Sequence, residues 1–77
     1  MTVYVLEQVM PHEGGDIIRI TSDLDGAKDA AAEHAAKEYP ELEPLWTERR
    51  TGQWEWYPDG RECSYYAISE WQVQGRR

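Results

Sequence analysis

Apolar residues recur at spacings of three and four between Ser22 and Tyr39, where Leu24, Ala27, Ala31 and Ala35 make one stripe with Ala30 and His34 on its border. That period is the signature of a helix with one buried face. On both sides of this stretch the pattern changes to alternation. Thr2 to Val9 sets Val3, Val5 and Val9 against Tyr4, Leu6 and Met10, so both faces are apolar and the segment is expected to be a strand covered on two sides. Pro11 to Gly15 is a turn-rich loop, and Asp16 to Thr21 returns with Ile18 and Ile20 on one face and Ile17 and Arg19 on the other. Beyond the helix, Leu45 to Arg50 and Gln53 to Tyr57 flank a Thr51-Gly52 turn, with Trp54 and Trp56 opposite Glu55. Pro58-Asp59-Gly60 is a further turn, and Cys63 to Val73 is the longest strand; residues 74–77 are expected to fray.

The helix has start and stop signals of its own. Ser22 is a good N-cap, Asp25 three residues later completes a capping box, and Asp23 and Asp25 oppose the positive end of the helix dipole. Tyr39-Pro40 ends it, because proline has no N–H and disfavours helical geometry in the residue before it. Gly26 is the one residue that argues against helix. Lys37 is placed to pair with Glu33 at i, i+4.

One hairpin before the helix and two hairpin signals after it give β-β-α-β-β-β. The expected fold is a single α+β domain over residues 1–77, an antiparallel sheet of four to five strands with one helix packed on one face. An alanine stripe brings the helix close to the sheet but supplies little bulk. The four Trp and five Tyr are the obvious source of that bulk. One helix cannot cover both faces of such a sheet, so the far face is expected to hold aromatic residues from Tyr4, Trp54 and Trp56, or Tyr65 and Trp71. An uncovered aromatic patch marks a partner site or an oligomer interface.

Charge narrows the choice of partner. Residues 1–44 carry ten acidic and three basic side chains, net −7, while residues 45–77 carry five of each. A net charge of −7 opposes phosphate backbones, so direct nucleic-acid binding is not expected. The single Cys63 excludes an internal disulfide, and no Cys and His spacing fits zinc, so no metal or cofactor is expected. Met1 to Met10 lacks the basic start and long apolar run of a secretion signal, and no window approaches a membrane span; the expected location is cytoplasmic.

Two sets of residues carry the candidate binding chemistry. Trp46, Trp54, Trp56, Trp71 and Tyr65 combine large apolar area with a hydrogen-bonding tip, the side chains that dominate interface hot spots and stacking platforms. The competing reading is that they fill the space left by an alanine-faced helix. Asp25, Asp29 and Glu33 form an acidic stripe able to face a basic partner, against the simpler reading of a solvated helix surface. His12 with Glu13 and Asp16, His34 with Glu38, and Cys63 beside Arg61 and Glu62 lack the further partners that catalysis or metal binding needs. Trp46, Tyr65-Tyr66 and Trp71 have a superficial likeness to the aromatic groove of a WW domain, but the two Trp are too far apart and the following proline is missing. No catalytic motif stands out, and the chain is expected not to be an enzyme.

Tyr4-Val5-Leu6-Glu7, Ser22 to Lys28, Trp46-Thr47 and Tyr66 to Val73 (Tyr-Ala-Ile-Ser-Glu-Trp-Gln-Val) together resemble small proteins of actinobacteria and their phages, a group with no assigned activity. The resemblance spans most of the chain and implies a phage or actinobacterial origin, consistent with six Arg to two Lys and no Asn or Phe. It carries over no catalytic residue. The functional expectation is a small accessory protein that binds a host or phage protein in the cytoplasm through its aromatic sheet face or its acidic helix. The alternatives are a structural homodimer with no other partner and an aromatic groove for a small ligand or glycan.

Overall fold

The computed structural model describes residues 1–10, 14–58 and 64–73. Its elements run β1 (Thr2–Met10), β2 (Gly14–Thr21), α1 (Leu24–Ala35), β3 (Thr47–Arg50), β4 (Gln53–Trp56) and β5 (Tyr65–Gln72). All five strands join one antiparallel sheet in the order β2-β1-β5-β4-β3, with the helix against β1, β2 and β5. This is the expected α+β architecture. The long first and last strands pair along their lengths, Thr2 opposite Gln72 through Val9 opposite Tyr65.

Register assigns the faces. Leu6 lies opposite Ile68, Trp54 opposite Ile68 and Trp56 opposite Tyr66, so these residues share one side. They meet the buried helix residues Ala27, Ala30, Ala31 and Ala35 in a single core, with Leu6 and Ile68 fully enclosed. Alanine leaves room for a stack of rings. Trp56 lies on Tyr66 with centroids 5.4 Å apart, Trp46 tilts onto Trp56 at 5.8 Å, and Trp54 meets Tyr4 at 6.1 Å. Burying these rings supplies the apolar area that the alanine stripe does not.

Two local expectations are corrected. The N-cap is Asp23, not Ser22: its Oδ1 accepts from the Gly26 backbone N–H at 2.6 Å, while Thr21 Oγ1 donates to the Asp23 carbonyl. A Cβ on Gly26 would stand 2.6 Å from that same Oδ1, which explains a glycine in the first turn of the helix. The Ser22–Asp25 box therefore does not form. The helix ends at Ala35, short of Tyr39-Pro40, with Ala36 as C-cap and turns continuing to Tyr39.

The second correction lies in β2. Leu6 pairs with Arg19 but Glu7 pairs with Ile17, so Ile18 is an extra residue in a β-bulge. The bulge breaks the alternation. Ile17 and Ile20 go to the face away from the helix, while Ile18 packs on the core and Arg19 sits on the helix side. At the other end Gly52 adopts a φ of 83° in the β3–β4 turn, a conformation glycine takes without a Cβ penalty.

Candidate functional site

The helix covers one face of the sheet, and no other described helix or strand packs over the opposite face. On that open face β1 presents Val3, Val5, Glu7 and Val9, and β5 presents Tyr65, Ala67, Ser69 and Trp71, as their register requires. The bulge adds Ile17 and Ile20 from β2. Ile17 is 60% exposed, Ile20 56% and Trp71 58%. Two large apolar side chains of β2 and one of β5, the strands on either side of β1, are thus more than half exposed to water.

The β4 and β3 end of this face is polar. Gln53 pairs with Ser69 and Glu55 with Ala67, which puts Gln53 and Glu55 on the open side. Glu55 Oε1 accepts from Arg49 Nη1 at 3.2 Å and from the Tyr57 hydroxyl at 3.0 Å. Tyr57 stacks on Tyr65 with centroids 4.5 Å apart, joining this corner to the apolar strands. Desolvation, then the bond to Glu55, raise the Tyr57 pKa above its ordinary 10.0.

The candidate residues therefore divide. Trp71 and Tyr65 lie on the open face, whereas Trp46, Trp54 and Trp56 pack on the helix side. Trp56 is buried, which removes it as a contact residue. Trp46 and Trp54 are half-buried against the core, and the Trp46 indole N–H is buried without an acceptor. Tyr4, considered for the far face, also belongs to the core side. The joint presence of Ile17 and Ile20 on the open face is what alternation alone misses, while Tyr57 lies there in phase with Glu55. The doubled Ile17-Ile18 before Arg19 is the one sequence signal of the bulge that exposes the isoleucines.

Asp25, Asp29 and Glu33 are all exposed on the outer helix surface. Glu33 and Lys37 do not pair; Arg49–Glu55 is the one ion pair among the described residues. His34 does not act with Glu38 but is bonded to Tyr66, its Nδ1 lying 2.7 Å from the hydroxyl. Burial raises the Tyr66 pKa, with Glu38 and Tyr39 adding to the effect. Shallow grooves flank this pair. One of about 350 Å³ is lined by Gln8, Met10, His34, Lys37, Glu38 and Tyr66, and a smaller one of about 200 Å³ lies toward Ile18 and Arg19. No group of three His, Cys, Asp or Glu able to hold a metal occurs among the described residues, and His12 and Cys63 lie outside them. No described helix is long and apolar enough to cross a membrane.

Comparison with protein families, curated proteins and solved structures returns no match.

Proposed function

We propose that the chain is a small non-enzymatic interaction protein whose working surface is the open face of the sheet. One observation carries this reading: Ile17 and Ile20 of β2 and Trp71 of β5 stand more than half exposed on the two strands that flank β1, whose Val3, Val5 and Val9 lie between them on the same face. A soluble monomer gains nothing from holding that much apolar surface in water, and contiguous exposed patches of this kind mark protein contacts. Trp71 is the natural anchor, a large ring in reach of an apolar partner surface. The resemblance noted above supports an accessory protein of phage or actinobacterial origin, acting on a protein in the cytoplasm.

The exposed acidic stripe of Asp25, Asp29 and Glu33 supports a second, electrostatic reading, in which the helix engages a basic partner. The two respond differently to salt. Capture of a partner from an actinobacterial lysate by the wild-type protein and by Trp71→Arg, at low and high salt, separates them. Capture that survives high salt and is lost in Trp71→Arg is the expected result. Capture lost at high salt and in an Asp29→Lys, Glu33→Lys double variant, but intact in Trp71→Arg, moves the function to the helix.

A further inference from the structure

We propose that the open face is closed by a second copy of this chain, two sheets packing face to face with the helices outside. The inference rests on the reading of that face as the working surface and names its occupant. Charge is the first argument. Among the described residues the face carries Glu7 and Glu55 against Arg49 and Arg50, the last placed there by its pairing with Gln53, so these charges balance on a chain of net charge −7. The acidic stripe of Asp25, Asp29 and Glu33 is on the outer surface of the helix, across the molecule. Joining two copies through their open faces keeps those stripes on opposite outer surfaces. Meeting through the helices would bring them together.

Area is the second argument. Strands about 4.8 Å apart, rising about 3.3 Å per residue, make the open face roughly 500–600 Å² in projection, allowing for the short β3 and β4. Two such faces bury at least about 1,000 Å², the size at which specific interfaces separate from casual contacts, and this value lies at the low end, where weak associations are found. Packed sheets lie about 10 Å apart with strands nearly aligned, a spacing filled by residues the size of Ile, Val and Trp.

Symmetry then fixes the arrangement. A dimer needs a two-fold axis in the interface plane. With the whole of each face in contact, an axis along the strands would lay β2 of one copy over β3 of the other, apolar on polar. An axis across the strands lays β2-β1-β5 on β2-β1-β5, and sets Trp71 and Val3 of each copy against Tyr65 and Val9 of the other. The second arrangement matches apolar surface to apolar surface, so Trp71 lies within the interface on both sides.

Solution mass tests this directly, by light scattering or sedimentation at about 100 μM, a concentration high enough to populate a weak dimer. The wild type is expected to approach twice 9.0 kDa, and to hold that mass as salt is raised because the contact is apolar and screening weakens the repulsion between copies. Trp71→Arg should weaken association at least about 30-fold, as loss of a large aromatic anchor does. Ile20→Glu is the second variant, should Trp71→Arg fail to fold by circular dichroism, and Asp29→Lys on the outer helix should leave the dimer intact. A wild-type mass of 9.0 kDa at this concentration, or a dimer indifferent to both face variants, overturns the proposal. A monomer whose lysate partner is still lost in Trp71→Arg sinks self-association alone and leaves the face as a binding surface. A monomer with no capture sensitive to Trp71→Arg sinks both.

Discussion

The two faces of one sheet present comparable residue types and meet opposite fates. Toward the helix, Leu6, Ile68, Tyr66 and Trp56 are buried; away from it, Ile17, Ile20 and Trp71 are more than half exposed. β1 shows the contrast within one strand, since Leu6 is fully enclosed while Val3, Val5 and Val9 on the other side are only partly covered. The difference is one of supply. A single twelve-residue helix with an alanine stripe closes one layer, and no second helix exists among the described residues to close the other. Apolar composition on a strand thus reports that a face is suited to burial, and topology decides whether this chain itself provides the cover.

The largest test of that contrast compares truncations on the two sides. Leu6→Ala removes a fully enclosed side chain and should cost about 2–5 kcal/mol of unfolding free energy, through lost transfer energy and the cavity left behind. Ile20→Ala should cost less than about 1 kcal/mol at protein concentrations low enough to keep the chain monomeric, because its side chain is already in water. Urea titration of both variants decides the matter. Equal losses in dilute protein would mean that the open face is covered within the single chain, and the contrast would fail.

The element order, the single sheet and the packing of one helix on one of its faces were legible, because periods of two and of three to four separate strand from helix cleanly here. The sharing of one face by Trp54 and Trp56 was legible for the same reason. What alternation could not show was Ile18 as an inserted residue: a bulge adds one residue to one strand, and nothing in Asp-Ile-Ile-Arg-Ile-Thr says which residue is extra. Since that insertion moves Ile17 and Ile20 to one side, the extent of the open face was hidden with it. The fate of the tryptophans was hidden too. Both faces of β1 read as apolar, so strand order and the position of the helix had to settle which rings were enclosed.

Intermediate effects are expected where the helix is anchored to the covered side. Asp23→Ala should cost about 1 kcal/mol by leaving the Gly26 N–H without its acceptor, whereas Ser22→Ala should be close to neutral, since Ser22 is not the cap. Thermal melts of the two variants assign the cap, and the reverse ranking would restore Ser22. Tyr66→Phe should cost about 0.5–1.5 kcal/mol by removing the bond to His34 while keeping the ring stacked on Trp56. Its pH dependence has a definite sign. The folded-state pKa of Tyr66 is raised above 10.0, so the folded protein holds the phenolic proton more tightly than the unfolded chain. That contribution is fully present below pH 10 and is lost as pH rises through the folded value. Tyr57 is raised in the same direction, so Tyr66→Phe should reduce the alkaline decline in stability without removing it.

The smallest effect belongs to the polar end of the open face, and it bears most directly on what that face is for. Arg49 and Glu55 pair at 3.2 Å with Arg49 well exposed, so Arg49→Ala should change monomer stability by no more than about 0.5 kcal/mol. Glu55 keeps the bond from Tyr57, and the Tyr57–Tyr65 stack remains in place. The charge balance of the face does not survive. Without Arg49 it carries a net negative charge, and two such faces brought together repel one another at low salt. Arg49→Ala should therefore weaken self-association modestly, in a way that added salt recovers, whereas the defect of Trp71→Arg should persist at high salt because it removes apolar contact. A stability loss in Arg49→Ala well beyond 0.5 kcal/mol would show that the pair holds the sheet together. An association defect in Trp71→Arg that salt recovers would show that the face works through charge, and the comparison between its apolar and polar ends would have to be reversed.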